Sequence, residues 1–106
     1  MNVIFRSRDT GAERLRELAV RRVQFALRRM SWLVPRADVQ LSDVNGPRGG
    51  VDKRCQVRLT TERAGTIVIS ATARDWRSAL DSALARATRA LREKQALERR
   101  LNSEPS

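Results

Sequence analysis

The sequence contains no histidine, no tyrosine and a single cysteine, Cys55. Histidine is the commonest acid/base side chain in enzymes, so its absence argues against general acid/base catalysis. Cys55 stands at an inward position of an alternating strand and has no histidine to activate it, so we expect an ordinary core cysteine. A lone cysteine also excludes an intramolecular disulfide and gives no evidence for secretion. These absences predict a protein that is not an enzyme.

Long apolar runs and clustered metal ligands are missing as well. No segment approaches the ~20 apolar residues of a membrane span, and the N-terminal segment MNVIFRSRDT lacks the apolar stretch of a signal peptide. Asp38, Asp43 and Asp52 lack the tight spacing of a Ca²⁺ or Mg²⁺ loop. The glycine-rich segment 46–50 lacks the Gly-Lys-Ser/Thr ending of a phosphate-binding loop, so we expect an ordinary loop. The prediction is a cytoplasmic protein with no metal, no cofactor, no small-molecule substrate and no membrane partner.

Basic charge is what the sequence has in excess. Its 106 residues include 22 lysines and arginines against 12 aspartates and glutamates, which gives a net charge of +10. An isoelectric point near 11.6 favours an acidic partner: nucleic acid, an anionic membrane surface or an acidic protein. Arginine suits a polyanion, because its planar group can grip phosphate bidentately and stack on bases. RNA is therefore the first partner to consider.

Hydrophobic periodicity predicts an α+β fold with the order β-α-β-β-β-α, in which one four-stranded sheet carries two helices on one face. The predicted strands span residues 2–7, 37–42, 54–60 and 66–73, and the predicted helices span residues 11–33 and 75–101. Thr10 and Glu13 fit a capping box, Pro35 should end the first helix near Val34, and Asp75 caps the second. Residues 1–101 form one domain, and residues 102–106 are predicted to be a disordered tail.

The buried stripes of the two helices follow from three- and four-residue spacing. In the first helix the stripe is Leu15, Ala19, Val23, Ala26, Met30 and Leu33. In the second it is Trp76, Leu80, Ala83, Leu84, Ala87, Leu91 and Leu101. Small residues at positions 79, 83, 87 and 90 should let the second helix pack closely on the sheet or on its neighbour.

Most of the basic charge lies on these two helices. Arg14, Arg21 and Arg28 are seven residues apart and form one stripe, with Arg22 and Arg29 beside it. The outer half of the second helix carries Arg86, Arg89, Arg92 and Arg100. Such residues can simply solvate exposed helices, but too few acids are present to pair them locally. If the helices pack side by side, the two basic surfaces merge.

Phe25 projects from the basic surface of the first helix rather than from its buried stripe. Three interpretations stay open for this ring. It can stack on a nucleotide base, cover part of a partner surface, or fold down onto the neighbouring helix.

The order of elements, together with particular residues, resembles the ribosome hibernation-promoting factor family, also called ribosome-associated inhibitor A or sigma-54 modulation proteins. The resemblance covers roughly residues 2–95. It rests on Leu15-Arg16-Glu17 with Arg22, on strands 39–41 and 55–59, and on the segment 70–73 that runs into Asp75-Trp76. Its most specific part is the second-helix pattern of Asp75, Ala79, Leu80, Asp81, Leu84, Arg86, Arg89 and Leu91.

This resemblance implies a fold like that of double-stranded-RNA-binding domains and binding to ribosomal RNA in the decoding channel of the small ribosomal subunit. Messenger RNA and transfer RNA would be blocked sterically, with no reaction catalysed. Arg16, Arg22, Arg86 and Arg89 match basic positions of the family, whereas Phe25 stands where a lysine is common. The chain lacks the C-terminal domain through which long members pair ribosomes, so pairing would need a separate ribosome-dimerising factor.

Residues and resemblance together give one candidate RNA-binding set. Its members are Arg14, Arg16, Arg21, Arg22, Arg28, Arg29, Arg86, Arg89, Arg92 and Lys94, with Phe25 as a candidate for base stacking. A general double-stranded-RNA binder is a weaker hypothesis, because such domains start the last helix with a lysine-rich cluster and this helix starts Asp75-Trp76-Arg77-Ser78. The alternative from another class is an adaptor whose basic helical face docks an acidic protein, with the loop 45–52 giving specificity.

Overall fold

The computed structural model describes residues 1–44 and 52–103, except for the side chains of residues 102 and 103. Four strands form one sheet: β1 (Asn2–Ser7), β2 (Arg36–Asp43), β3 (Lys53–Thr60) and β4 (Thr66–Ala73). Their order is β1-β2-β3-β4, with β1 parallel to β2 and the other neighbours antiparallel. All four predicted strands are confirmed to within one residue at each end. The predicted glycine-rich loop, 45–50, lies outside the described residues.

The first predicted helix is three separate pieces rather than one. They are α1 (Thr10–Glu13), α2 (Arg16–Ala26) and a 3₁₀ turn (Ser31–Leu33). After α2, the N–H of Met30 donates to the carbonyl of Leu27 at 2.9 Å. That bond spans three residues, so the chain tightens towards three residues per turn there. The prediction of one continuous helix over 11–33 was therefore wrong.

The buried positions differ from the predicted stripe after Val23. Leu27 is fully buried, whereas the predicted Ala26 and Leu33 are only partly buried. Val23, Leu27 and Met30 are four and three residues apart, which suits a helix as well as the predicted spacing does, so the pattern alone could not choose between Ala26 and Leu27.

The predicted capping box does not form. The N-cap residue of α1 is Asp9, and Thr10 is already helical. The Asp9 carboxylate accepts the N–H of Asp43 at 3.2 Å, which ties the start of α1 to the end of β2. Glu13 instead accepts a hydrogen bond from Arg16 at 2.6 Å.

The last helix, α3 (Trp76–Ser103), lies with α2 on one face of the sheet. It contacts β3 and β4, while α2 contacts β1, so the two helices divide that face between them. Ala79, Ala83 and Ala87 are fully buried, and they bring the helix close to the strands as expected. Asp75 caps the helix as predicted, accepting the N–H of Ser78 at 2.8 Å.

The C-terminal part of α3 extends beyond the sheet. A helix of 28 residues is about 42 Å long, whereas an eight-residue strand is about 26 Å long. Leu101 is consequently 62 % exposed, so its predicted place in the buried stripe was wrong. The helix reaches Ser103, two residues past the predicted end, and residues 104–106 of the predicted tail lie outside the described part. In the ranges 1–44 and 52–103, no helix combines the length and apolar character needed to cross a bilayer.

Candidate nucleic-acid interface

A groove runs between α2 and α3 on the side of the helices away from the sheet. Two cavities of about 490 and 500 Å³ adjoin there and share Ala26, Arg28 and Arg92. A third cavity of about 380 Å³ continues it past Phe25 and Leu84. We call this surface the inter-helix groove. Its basic residues are Arg21, Arg22, Arg28, Arg29, Arg89, Arg92 and Arg99.

Among the residues that the structure describes, one carboxylate lines the inter-helix groove, and it is already paired. Asp81 of α3 forms a salt bridge with Arg22 of α2, which also fastens the two helices together. Within the described ranges, no carboxylate oxygen lies within 4.0 Å of the other six arginines. The inter-helix groove therefore presents uncompensated positive charge, which suits a polyanion.

Two aromatic rings stand in the same groove. Phe25 is 68 % exposed, and the Cζ atom of Arg28 lies 4.2 Å from its ring centroid. Arg28 also donates to the Phe25 carbonyl at 2.9 Å, so its guanidinium is held over the ring. Trp32 is 69 % exposed at the other end. Phe25 thus lies exposed on the basic surface, as predicted, and it shares two cavities with Leu84 of the neighbouring helix α3.

The structure brings together seven of the eleven predicted site residues and leaves four elsewhere. The seven in the inter-helix groove are Arg21, Arg22, Phe25, Arg28, Arg29, Arg89 and Arg92. Arg14 lies outside the groove, at the end of α1. Arg16 lies over the ring of Phe5, 5.0 Å from its centroid, and donates to the Phe5 carbonyl at 3.3 Å.

The remaining two lie on the opposite side of α3. Arg86 donates to the carbonyl of Ser70 at 3.0 Å, and Lys94 donates to the carbonyl of Ala64 at 3.1 Å. Both bonds direct these side chains towards β4 and the turn that precedes it. The basic surfaces of α2 and α3 therefore merge through the arginines on the facing sides of the two helices, and Arg86 and Lys94 do not take part.

Sequence reasoning missed Trp32 and Arg99. Trp32 falls inside the helix predicted over 11–33, and Arg99 is one of the basic residues of the second predicted helix. Neither was predicted as a site residue. A usable signal existed for Trp32, because it follows Phe25 by seven residues and so returns to nearly the same helical face. That spacing would have placed both rings on one surface.

A second basic surface covers the open face of the sheet. Arg6, Arg36 and Arg58 line a shallow cavity of about 510 Å³ there. Asp38 accepts hydrogen bonds from Arg36 at 3.0 Å, and this contact raises the pKa of the arginine. The open face therefore has part of its charge neutralised by its own residues.

Cysteine and the metal-ligating side chains are further candidates for reactive groups. Cys55 is fully buried on β3, and desolvation raises the pKa of its thiol to about 12. This confirms the predicted core cysteine, because a thiol that stays protonated is a poor nucleophile. Over residues 1–44 and 52–103, no three histidine, cysteine, aspartate or glutamate side chains are grouped to hold a metal ion.

Comparison with known proteins gives a family and a fold. Residues 3–100 match the family described as Sigma 54 modulation protein / S30EA ribosomal protein. No curated protein matches the chain significantly in sequence. Among solved structures, the chain is similar to a ribosomal subunit interface protein from Coxiella burnetii, with a TM-score of 0.71 and 16% identity over 91% of this chain and 99% of that one. At this identity the likeness demonstrates the shared fold.

Proposed function

This chain belongs to the sigma 54 modulation protein / S30EA ribosomal protein family, and we propose that it is a hibernation factor that binds the small ribosomal subunit in its decoding channel. Family membership makes it a ribosome-associated protein. The finer assignment to ribosomal RNA depends on one observation: six arginines of the inter-helix groove have no described carboxylate oxygen within 4.0 Å.

Binding would follow from the chemistry of that surface. Guanidinium groups form paired hydrogen bonds with phosphate oxygens and remain charged at every physiological pH. Each phosphate they neutralise releases condensed counterions, which supplies much of the affinity for RNA. An arginine surface with so little internal pairing loses few protein contacts when RNA replaces water.

Inhibition would be steric rather than chemical. A folded domain that occupies the decoding channel takes the space that messenger RNA and transfer RNA need. The Coxiella burnetii protein of similar fold is described as a ribosomal subunit interface protein, which agrees with such a position. The protein would act in the cytoplasm of starved or stationary bacterial cells, with no substrate turned over.

Co-sedimentation with separated ribosomal subunits tests the proposal. The wild-type protein should pellet stoichiometrically with the small subunit at near-physiological salt and be displaced by excess transfer RNA. The double variant Arg89→Glu/Arg92→Glu should lose this binding. The matched control Arg54→Glu/Arg58→Glu makes the same change in net charge on the open sheet face and should retain it.

Two outcomes would contradict the proposal. Equal loss in both double variants would mean that net charge, rather than the inter-helix groove, drives the association. A complex from cell lysate that survives nuclease treatment would favour the adaptor hypothesis, in which the basic face docks an acidic protein.

A further inference from the structure

The chain has only four aromatic residues, and the structure uses them in two ways. Phe5 is buried in the core, and Trp76 is half-buried against β2, where its indole N–H donates to the carbonyl of Ser42 at 3.2 Å. The other two, Phe25 and Trp32, are 68 % and 69 % exposed. Both exposed rings line the inter-helix groove. Core packing therefore explains two of the rings and leaves the two in the groove unexplained.

We propose that the inter-helix groove binds a short unpaired stretch of RNA, with one base stacked on Trp32 and another against Phe25 and its covering Arg28. This inference rests on the proposed function and deepens it, since it specifies which form of RNA the groove takes. An unpaired strand leaves the faces of its bases open to aromatic side chains, whereas a duplex has them stacked on one another.

Trp32 offers the more open of the two stacking surfaces. Within the described ranges, no cationic group lies over its ring, whereas Lys53 lies 4.9 Å from the ring of Trp76 and Arg28 lies 4.2 Å from that of Phe25. The ring of Trp32 is thus accessible to a base. At Phe25 the guanidinium plane of Arg28 already covers the ring, and such a plane stacks on bases itself.

Phosphate-binding groups accompany both rings. The cavity beside Trp32 is lined by Arg28, Arg29, Arg92 and Arg99. The cavity beside Phe25 adds Arg89 and shares Arg28 and Arg92. Among the described lining residues, Asp81 is the one carboxylate near these rings, and it is held by Arg22. Aromatic rings interleaved with arginines are the combination that single-stranded nucleic acid requires.

Phe25 and Trp32 lie in different elements, α2 and the 3₁₀ turn, and line different cavities of the groove. A strand that stacks on both rings must therefore span more than one nucleotide, because a stacked nucleotide covers only about 3.4 Å. A hexanucleotide, about 20 Å long when stacked, is a suitable probe.

Tryptophan fluorescence tests the inference directly, because Trp32 is one of two tryptophans and the other is half-buried. The probe is a single-stranded RNA hexamer, compared with a blunt RNA duplex, polyphosphate and polyglutamate at matched charge. The hexamer should quench the emission saturably and bind at least tenfold more tightly than the other three. Trp32→Phe should abolish the quenching while keeping most of the affinity, since a phenyl ring still stacks.

Removal of the ring should weaken binding. Trp32→Ala should lower the affinity for the hexamer roughly 5- to 150-fold, and Phe25→Ala should weaken it in the same direction. Leu97→Ala is the matched control, because Leu97 is a 55 % exposed apolar side chain on α3 that lines none of the groove's cavities. Circular dichroism melts of each variant verify that the fold is retained.

The outcomes separate this inference from the proposed function. Equal affinity for hexamer and duplex, or Trp32→Ala behaving like Leu97→Ala, would overturn the stacking inference even if the protein still pellets with the small subunit. Equal binding of polyglutamate would overturn it in favour of an acidic protein partner. Failure of ribosome binding with intact, Trp32-dependent hexamer binding would reject the proposed function and leave the inference standing.

Discussion

The arginines on the two helices differ in their protein partners, and these partners determine how readily each arginine can bind a phosphate. Arg16 and Arg86 donate to main-chain carbonyls of the sheet, and Arg22 is held by Asp81. Arg89 and Arg92 have no carboxylate within 4.0 Å among the described residues. A guanidinium that already has protein partners gains less from a phosphate than one that exchanges only water. The sequence alone does not distinguish the arginines that have protein partners from those that have no described carboxylate within 4.0 Å, because the partners come from other elements of the fold.

Asp75 at the start of α3 should make stability depend on pH. The N–H and hydroxyl groups of Ser78 lower the pKa of its carboxyl group, so the folded-state value lies below the unfolded one. Its contribution to stability is therefore fully present above a pH of about 4 and lost as pH falls through the folded-state pKa. Asp75→Asn keeps the capping oxygen but cannot titrate. The melting temperatures of wild type and Asp75→Asn should converge only once the pH falls below the lowered folded-state pKa of Asp75, and Asp75→Ala should melt lower than both at pH 7.

The Cys55 thiol should be unreactive towards alkylating reagents while the protein is folded. Burial raises the pKa of its thiol to about 12, so almost no thiolate forms at pH 8 and the side chain is fully enclosed. Iodoacetamide should leave the native protein unmodified over hours and alkylate it within minutes in denaturant, as followed by intact mass. Rapid alkylation of the native protein would mean that β3 opens far more often than its position in the sheet suggests.

At the scale of elements, the alanine stripe of α3 sets how closely the helix lies on the sheet. Ala83 is fully buried beneath the helix, so Ala83→Leu should push α3 outward and cost about 1–3 kcal/mol of unfolding free energy. The matched control is Ala96→Leu, which adds the same atoms at an exposed position of the same helix. Urea unfolding of both variants measures the difference, and equal midpoints would show that the α3–sheet contact is loosely packed.

The strands were predictable and the first helix was not, for one physical reason. Alternation of inward and outward side chains is imposed by the backbone of any half-buried strand, so 37–42 and 66–73 could be located from residues alone. Buried apolar residues continue at three- and four-residue spacing past the end of α2, at Leu27, Met30 and Val34, so the break after Ala26 left no trace in the pattern. In the candidate site, the exposure of Phe25 followed from its position off the buried stripe. The direction of the Arg86 side chain could not be predicted, because it depends on the position of β4, whose Ser70 carbonyl accepts its hydrogen bond.

At the scale of the whole molecule, the fold separates two basic surfaces. The molecule measures 58 × 23 × 17 Å and has a layer of helices packed on a layer of sheet. The inter-helix groove lies on one broad side, and the arginines of the open sheet face lie on the other. Net charge alone cannot distinguish the two sides, because a charge of +10 attracts RNA to the whole molecule at low salt.

The salt dependence of binding distinguishes the inter-helix groove from the open sheet face. Each phosphate contact contributes to the slope of the logarithm of the association constant against the logarithm of the salt concentration. A contact contributes a slope of about −0.7 on single-stranded and about −0.9 on duplex nucleic acid. Arg89→Gln/Arg92→Gln should therefore make the slope shallower by about 1.4 to 1.8 in titrations of the small subunit between low and physiological salt. Arg54→Gln/Arg58→Gln removes the same charge from the open sheet face and should leave the slope unchanged. If both pairs shift it equally, RNA surrounds the protein on its two broad sides, and the sheet arginines contact phosphate alongside those of the inter-helix groove.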